Sequence, residues 1–116
     1  MGYDLTPDGQ AFHDAGFGPK GSIWAAINGS HMLTQSKAPG SLDSRWLTED
    51  IPYGIATWSK IGKQFGIDTP IIDSIVGLGS IVMGLDGWTA GRGPIEFGIS
   101  GMSKEALKQY LETGEA

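Results

Sequence analysis

Residues 51–84 read IPYGIATWSKIGKQFGIDTPIIDSIVGLGSIVMG, two apolar runs separated at Gly66. In the first, Ile51, Ile55, Trp58, Ile61 and Phe65 step by 4, 3, 3 and 4, which lays them on one face of a helix that Gly66 ends. In the second, Thr69 stands at the cap and Pro70 at the first helical position, where a missing N–H costs nothing. This helix is expected to run to about Met83 and stop at Gly84. Its Ile71, Ile72, Ile75, Val76, Leu78, Ile81, Val82 and Met83 point nearly all round. That pattern predicts a central core helix buried on most sides, with Gly77, Gly79 and Ser80 letting a neighbour approach closely.

Outward from this pair, the signals stay helical. Ser103 caps a last helix, Lys104 to Thr113, with Ala106, Leu107, Tyr110 and Leu111 facing inward and Gly114 at its end. Residues 85–101 are glycine-rich, with a short helix near Thr89–Arg92 and a segment from Ile95 to Ile99. On the other side, Ser36 to Ser44 is loop-like. Ser22 caps a short helix through Asn28, with Ile23, Trp24 and Ile27 on one face and Gly29 as the stop. Residues 1–21, with Pro7, Gly9, Gly16, Gly18, Pro19 and Gly21, read as mostly loop. No run has period two. The fold expected is all-α, a compact bundle of about four to six helices with short loops.

A chain of 116 residues suits one domain and can bury about two thirds of its unfolded surface. With 40% hydrophobic and 18% charged residues it is globular in composition. The net charge of -5 and the scatter of the eight basic residues argue against nucleic acid or an anionic membrane as partner. No apolar run approaches the roughly 20 residues that span a bilayer, and the N-terminus lacks the regions of a signal peptide. Without cysteine there is no disulfide or thiolate site, which fits a cytoplasmic protein. No cluster of His, Asp and Glu has metal-ligand spacing, so no metal is expected. Gly29-Ser30-His31-Met32 resembles the remnant of a cleaved tag, but it sits inside a continuous pattern and reads as chance.

Gly16-Phe17-Gly18-Pro19-Lys20-Gly21 matches G-x-G-x-x-G in form. The dinucleotide motif works because it follows a buried strand and opens a helix onto the pyrophosphate. Here no buried strand precedes it, so it reads as a glycine-rich loop. His13 and His31 lack the neighbours that a catalytic histidine needs and read as loop or surface residues. Lys37 to Tyr53 is richer, with Asp43, Arg45, Thr48, Glu49, Asp50 and Tyr53 around a turn leading into a helix. Arg45 is a planar donor suited to a carboxylate, and Asp50 stands where a helix N-terminus favours negative charge. By spacing alone, helix capping by Thr48, Glu49 and Asp50 beside a surface arginine is the better account of the segment.

Lys37-Ala38-Pro39, Leu42 and Arg45-Trp46-Leu47-Thr48-Glu49-Asp50-Ile51-Pro52-Tyr53-Gly54-Ile55 together resemble the K-A-P…L…R-Y-L-T-E-D-V-P-Y-G-L stretch of octopine and nopaline dehydrogenases, the opine dehydrogenase family. Gly66-Ile67-Asp68-Thr69-Pro70-Ile71-Ile72-Asp73 is similar to that family's G-V-x-T-P-x-I-D, and Gly21-Ser22-Ile23-Trp24-Ala25-Ala26-Ile27 to its G-S-L-Y-E-A-L. Gly91-Arg92 and Gly98-Ile99-Ser100-Gly101-Met102-Ser103 extend the resemblance, which covers about residues 21–103. It implies an N-terminal Rossmann domain that binds NAD or NADP, and a helical domain like the C-terminal domain of 6-phosphogluconate dehydrogenase. It implies an NAD(P)H-driven union of a 2-oxo acid with the amino group of an amino acid through an imine. It gives Arg45 the role of binding substrate and Asp50 the catalytic role of supporting a histidine. Trp46 stands where the family has tyrosine, and neither His13 nor His31 lies in a matching motif.

The expected division is a loop or ragged segment over 1–20 and the C-terminal part of the helical domain over 21–116, with no Rossmann domain among these residues. The partners expected are the two substrates and an N-terminal Rossmann domain. The chain by itself is expected to be inactive. One alternative is a stand-alone oligomerisation or interaction module in which the 70–83 helix pairs with its copy as a homodimer. Another is a carboxylate-binding domain that uses Arg45 without catalysis.

Overall fold

A computed structural model describes residues 4–115, and they divide into two units, 4–38 and 39–115. Every regular element among the described residues is helical and none is a strand, in accord with the all-α expectation. Five α-helices are longer than one turn, and two more are single turns of four residues.

In the first unit α1 (Asp8–Asp14) packs on α2 (Ile23–Asn28), followed by a 3-10 turn at Leu33–Gln35. The α2 cap is as expected: the Ser22 hydroxyl accepts from the Ala25 N–H at 3.3 Å. Helix α1 falls where a loop was expected. Its glycine, Gly9, is buried because the chain at Gly21 and Ser22 crosses it, and a Cβ there would collide with the Gly21 carbonyl. Gly18 likewise lies against the Ala26 carbonyl, and Ala26 is fully buried. Close approach of backbones thus replaces large apolar side chains, and Ile23, Trp24 and Ile27 stay exposed. Ser30 is buried, and its hydroxyl accepts from the Leu33 N–H at 3.2 Å, so this part of the tag-like tetrapeptide is built into the fold.

The second unit holds α3 (Arg45–Thr48), a π-helical turn at Asp50–Ile55, α4 (Ala56–Gln64), α5 (Pro70–Met83), α6 (Gly87–Ala90) and α7 (Lys104–Thr113). The continuous helix expected from Ile51 to Phe65 is interrupted at its start. Pro52 has no N–H to donate, and the ladder resumes in wider form when the Ala56 N–H reaches back to the Ile51 carbonyl. One extra residue turns the following face by about 100°. Ile51 therefore goes inward at 5% exposure while Trp58, expected on the same face, is 64% exposed. Ala56, Thr57 and Ser59 take the inner positions instead.

The core of this unit is Ile51, Ala56 and Val76, with Leu47, Ile55, Ile72, Met83 and Trp88 packed around them. Ile51 enters α5 at Gly79, where a Cβ would collide with its Cδ1 atom, and it also touches the space at Gly87. The expectation that α5 is buried on most sides is corrected by the structure. Val76 and Gly79 are buried, but Ile71 is 73% exposed, Leu78 65% and Ile81 80%. The π turn, α3, α4 and α6 pack on α5 and leave these positions uncovered. In α7, Leu107 is buried and Tyr110 half-buried, whereas Ala106 and Leu111, also expected inward, are exposed.

Polar contacts tie α4 to α5. The Thr69 hydroxyl donates to the fully buried Ser59 at 2.8 Å, and Ser59 donates to Asp73 at 2.5 Å. Lys63 pairs with Asp73 at 2.8 Å and lies 4.5 Å from the Trp88 ring centre. From α4, Lys60 Nζ donates to the Gly91 carbonyl at 2.8 Å and Thr57 Oγ1 to the Arg92 carbonyl at 3.0 Å. Gly91 itself rests on the Pro52 carbonyl, leaving no room for a Cβ.

Two expectations follow from these contacts. Gly77, in the middle of α5 with open space at its Cβ, should gain about 0.5–1 kcal/mol on change to alanine. Gly91→Ala should lose about 1–3 kcal/mol, because the backbone of the π turn must move. Urea unfolding of both variants checks the pair; equal shifts would contradict the packing described. The second concerns acid. The Lys63 ammonium, helped by Ser59 and Thr69, holds the Asp73 carboxyl below its ordinary 3.8. A depressed carboxylate stabilises the fold above that pH and gives the stability up as pH falls through its lower folded value. The stability gap between the natural chain and Asp73→Asn should therefore be full near neutrality and close below pH 3.8. A gap independent of pH would contradict it.

Candidate functional site

The residues singled out by spacing lie on α3 and the first residues of the π turn. Arg45 grips Glu49, four residues on, through two parallel bonds, Nε to Oε1 at 2.6 Å and Nη2 to Oε2 at 2.8 Å. The pair is solvent-facing, with side chains 84% and 47% exposed. The hydrogen bonds from Arg45 hold the Glu49 carboxyl below its usual range, and the same bonds together with the charges of Glu49 and Asp50 raise the Arg45 guanidinium. Asp50 is exposed, and its carboxylate makes no hydrogen bond or ion pair among the described residues.

Helix capping does not explain this segment. The cap position of α3 is Ser44, the Thr48 hydroxyl donates back to the Ser44 carbonyl at 3.3 Å, and Glu49 is engaged by Arg45. Arg45, Trp46, Glu49 and Asp50 instead line one open hollow. The structure thus brings together Arg45 and Asp50, the two residues expected to act. An exposed bidentate pair is weak, screened by solvent, and its carboxylate can be exchanged for another of the same shape. Arg45 can therefore trade Glu49 for a ligand carboxylate without leaving a buried charge behind.

A second hollow shares Glu49 as a wall and is lined also by Tyr53, Arg92 and Phe97. The Arg92 guanidinium lies 5.9 Å from the centre of the Tyr53 ring. Local spacing gave no reason to pair Arg92 with Arg45. Its one signal is position, between two buried glycines, Gly91 and Gly93.

The glycine-rich stretch at 16–21 does not fit a dinucleotide. Gly18 faces the Ala26 carbonyl rather than open space, no strand precedes it, and α2 has only six residues with its first turn capped by Ser22. His13 is part-buried, with Nδ1 3.1 Å from the Gly18 carbonyl oxygen, and His31 is exposed. Among the described residues no group of three or more His, Cys, Asp or Glu could hold a metal ion, and no helix is long and apolar enough to cross a membrane.

Comparison with known proteins agrees with the segment's likeness. The chain is 26% identical over 91 residues to an opine dehydrogenase of Arthrobacter sp. (strain 1C), covering 78% of this chain and 25% of that protein. It is 27% identical over 75 residues to protein ocs of Agrobacterium vitis, covering 65% of this chain and 21% of that one. The chain thus spans a quarter or less of the length of these relatives. No solved structure matches it. The family model described as "NAD/NADP octopine/nopaline dehydrogenase, alpha-helical domain" matches residues 4–83, beginning inside the stretch expected as loop. That span is well over half of the chain, which therefore belongs to the NAD/NADP octopine/nopaline dehydrogenase family through its alpha-helical domain.

Proposed function

We propose that the chain is the substrate-binding helical domain of an NAD(P)H-dependent opine dehydrogenase, an oxidoreductase that joins a 2-oxo acid to the amino group of an amino acid. The observation that carries this reading is that Arg45 and Asp50 open onto one hollow from adjoining turns. Arg45 holds the oxo acid's carboxylate through its two-pronged donor face, displacing Glu49. Trp46, on the wall of the same hollow, offers an apolar surface beside the bound acid. Asp50 accepts an imidazole N–H, which fixes the tautomer of a histidine and steadies its charged form while it holds the proton at the reacting centre. Neither His13 nor His31 is assigned that part.

In this reading the dinucleotide and that histidine belong to other parts of the whole enzyme, the dinucleotide to an N-terminal Rossmann domain. The residues described here do not fit a dinucleotide, and no step of theirs runs through it. The reading places the enzyme in the cytoplasm, in keeping with a chain that has no cysteine. By itself the chain orients an acid and turns nothing over.

Titration of pyruvate into the chain, followed by amide NMR shifts, is expected to move residues 45–50. Arg45→Ala should weaken that binding by about tenfold. Equal binding by both proteins would remove Arg45 from the site. Tight binding of NADH by the same chain would overturn the division of labour.

A further inference from the structure

The two hollows share Glu49; Arg45 and Asp50 line one with it and Arg92 the other, so that with Asp50 given to the histidine the remaining charges are Arg45, Glu49 and Arg92. The product of joining a 2-oxo acid to an amino acid carries the complementary order, a carboxylate, a secondary amine that is protonated near neutrality, and a second carboxylate. We propose that Arg92 is a second carboxylate-binding residue of this site, so that Arg45 and Arg92 take the two carboxylates of an N-(carboxyalkyl) amino acid and Glu49 faces its central ammonium. The inference rests on the function proposed above and adds a residue, and a charge pattern, to it.

Arg92 is built for that part at three levels. Its backbone is fixed: the Thr57 hydroxyl donates to the Arg92 carbonyl at 3.0 Å, Lys60 donates to the Gly91 carbonyl at 2.8 Å, and Gly91 sits on Pro52 of the π turn. The Glu96 carboxylate ties the far side through the Gly93 N–H at 2.7 Å. The backbone from which the Arg92 side chain leaves is therefore held against the turn that carries Asp50 and Tyr53. Its side chain is exposed and lies by the Tyr53 ring, a contact that orients the planar fork without consuming its hydrogen bonds. And it makes no ion pair among the described residues, although the chain has 13 acidic residues to eight basic ones. Arg45 already shows how such a fork meets a carboxylate in this neighbourhood.

Glu49 gains a role by the same logic. When a ligand carboxylate takes its place on Arg45, its own charge is left between two occupied cations. A ligand with an ammonium between its carboxylates satisfies it; a ligand with methylene there does not.

Iminodiacetate, glutarate and acetate are the probes, titrated into the full chain by amide NMR with no added metal. Iminodiacetate should bind more tightly than glutarate, which has the same length without the nitrogen. Arg92→Ala should weaken iminodiacetate by about tenfold while leaving acetate, held at Arg45, unchanged. Arg92→Lys should restore part of the loss, and a melting curve like that of the natural chain shows that the exposed change has not unfolded it. If Arg92→Ala binds iminodiacetate as the natural chain does while Arg45→Ala does not, the assignment of Arg92 is overturned and the role of Arg45 stands. If the natural chain binds none of the three acids, both readings fall.

Discussion

One side chain holds the second unit together. Ile51 projects from a π turn into a notch on α5 that exists because residue 79 is glycine, and its flank meets a second glycine at 87. Val76 and Ala56 close around it. Such an insertion is a steric condition as much as an apolar one: a single methyl group on Gly79 would occupy the space of the Ile51 Cδ1 atom. Within the turn, Pro52 withholds a donor from the ladder, so its place depends on packing against the helices around it.

Everything at the site hangs from that turn. With Ile51 inward, Asp50 and Tyr53 are carried outward on the opposite side, beside Arg45 and Glu49 one turn earlier. The Pro52 carbonyl gives Gly91 its seat, and with Thr57 and Lys60 it sets where Arg92 can stand. The site residues are exposed and hold their charges in water, so the fold supplies position rather than a low dielectric. Arg45 and Arg92 face solvent, with the carboxylates of Glu49 and Asp50 lining the same hollows.

How much of this can be read in the residues divides along physical lines. Local chemistry was legible: the Ser22 and Ser103 caps, Pro70 at the head of α5, and the stops at Gly84 and Gly114 all stand where side-chain and backbone preferences put them. So was the nearness of Arg45 to Asp50, which lie within six consecutive residues and line one hollow. What depends on a distant partner was not. Helix α1 looks like loop because its glycine, a weak helix former, is required by a crossing strand of backbone at Gly21. Trp58 changes sides because one proline widens a turn that periodicity treats as regular. The apolar surface of α5 is plain in the sequence, but which side is covered is decided by where Ile51 enters. Arg92 is marked only by its flanking glycines and the likeness at Gly91-Arg92, neither of which joins it to Arg45, and the seat of Gly91 on Pro52 brings it to the site.

Amide hydrogen exchange in Ile51→Val tests the dependence of the site on this one insertion, since the change removes only the Cδ1 atom that lies at Gly79. The expected global loss is modest, about 0.5–1.5 kcal/mol. The amides of Tyr53 and Ala56, which close the turn, are expected to lose protection well beyond that of Leu107 in α7. Protection lost equally at all three, or unchanged at Tyr53 and Ala56, would contradict it.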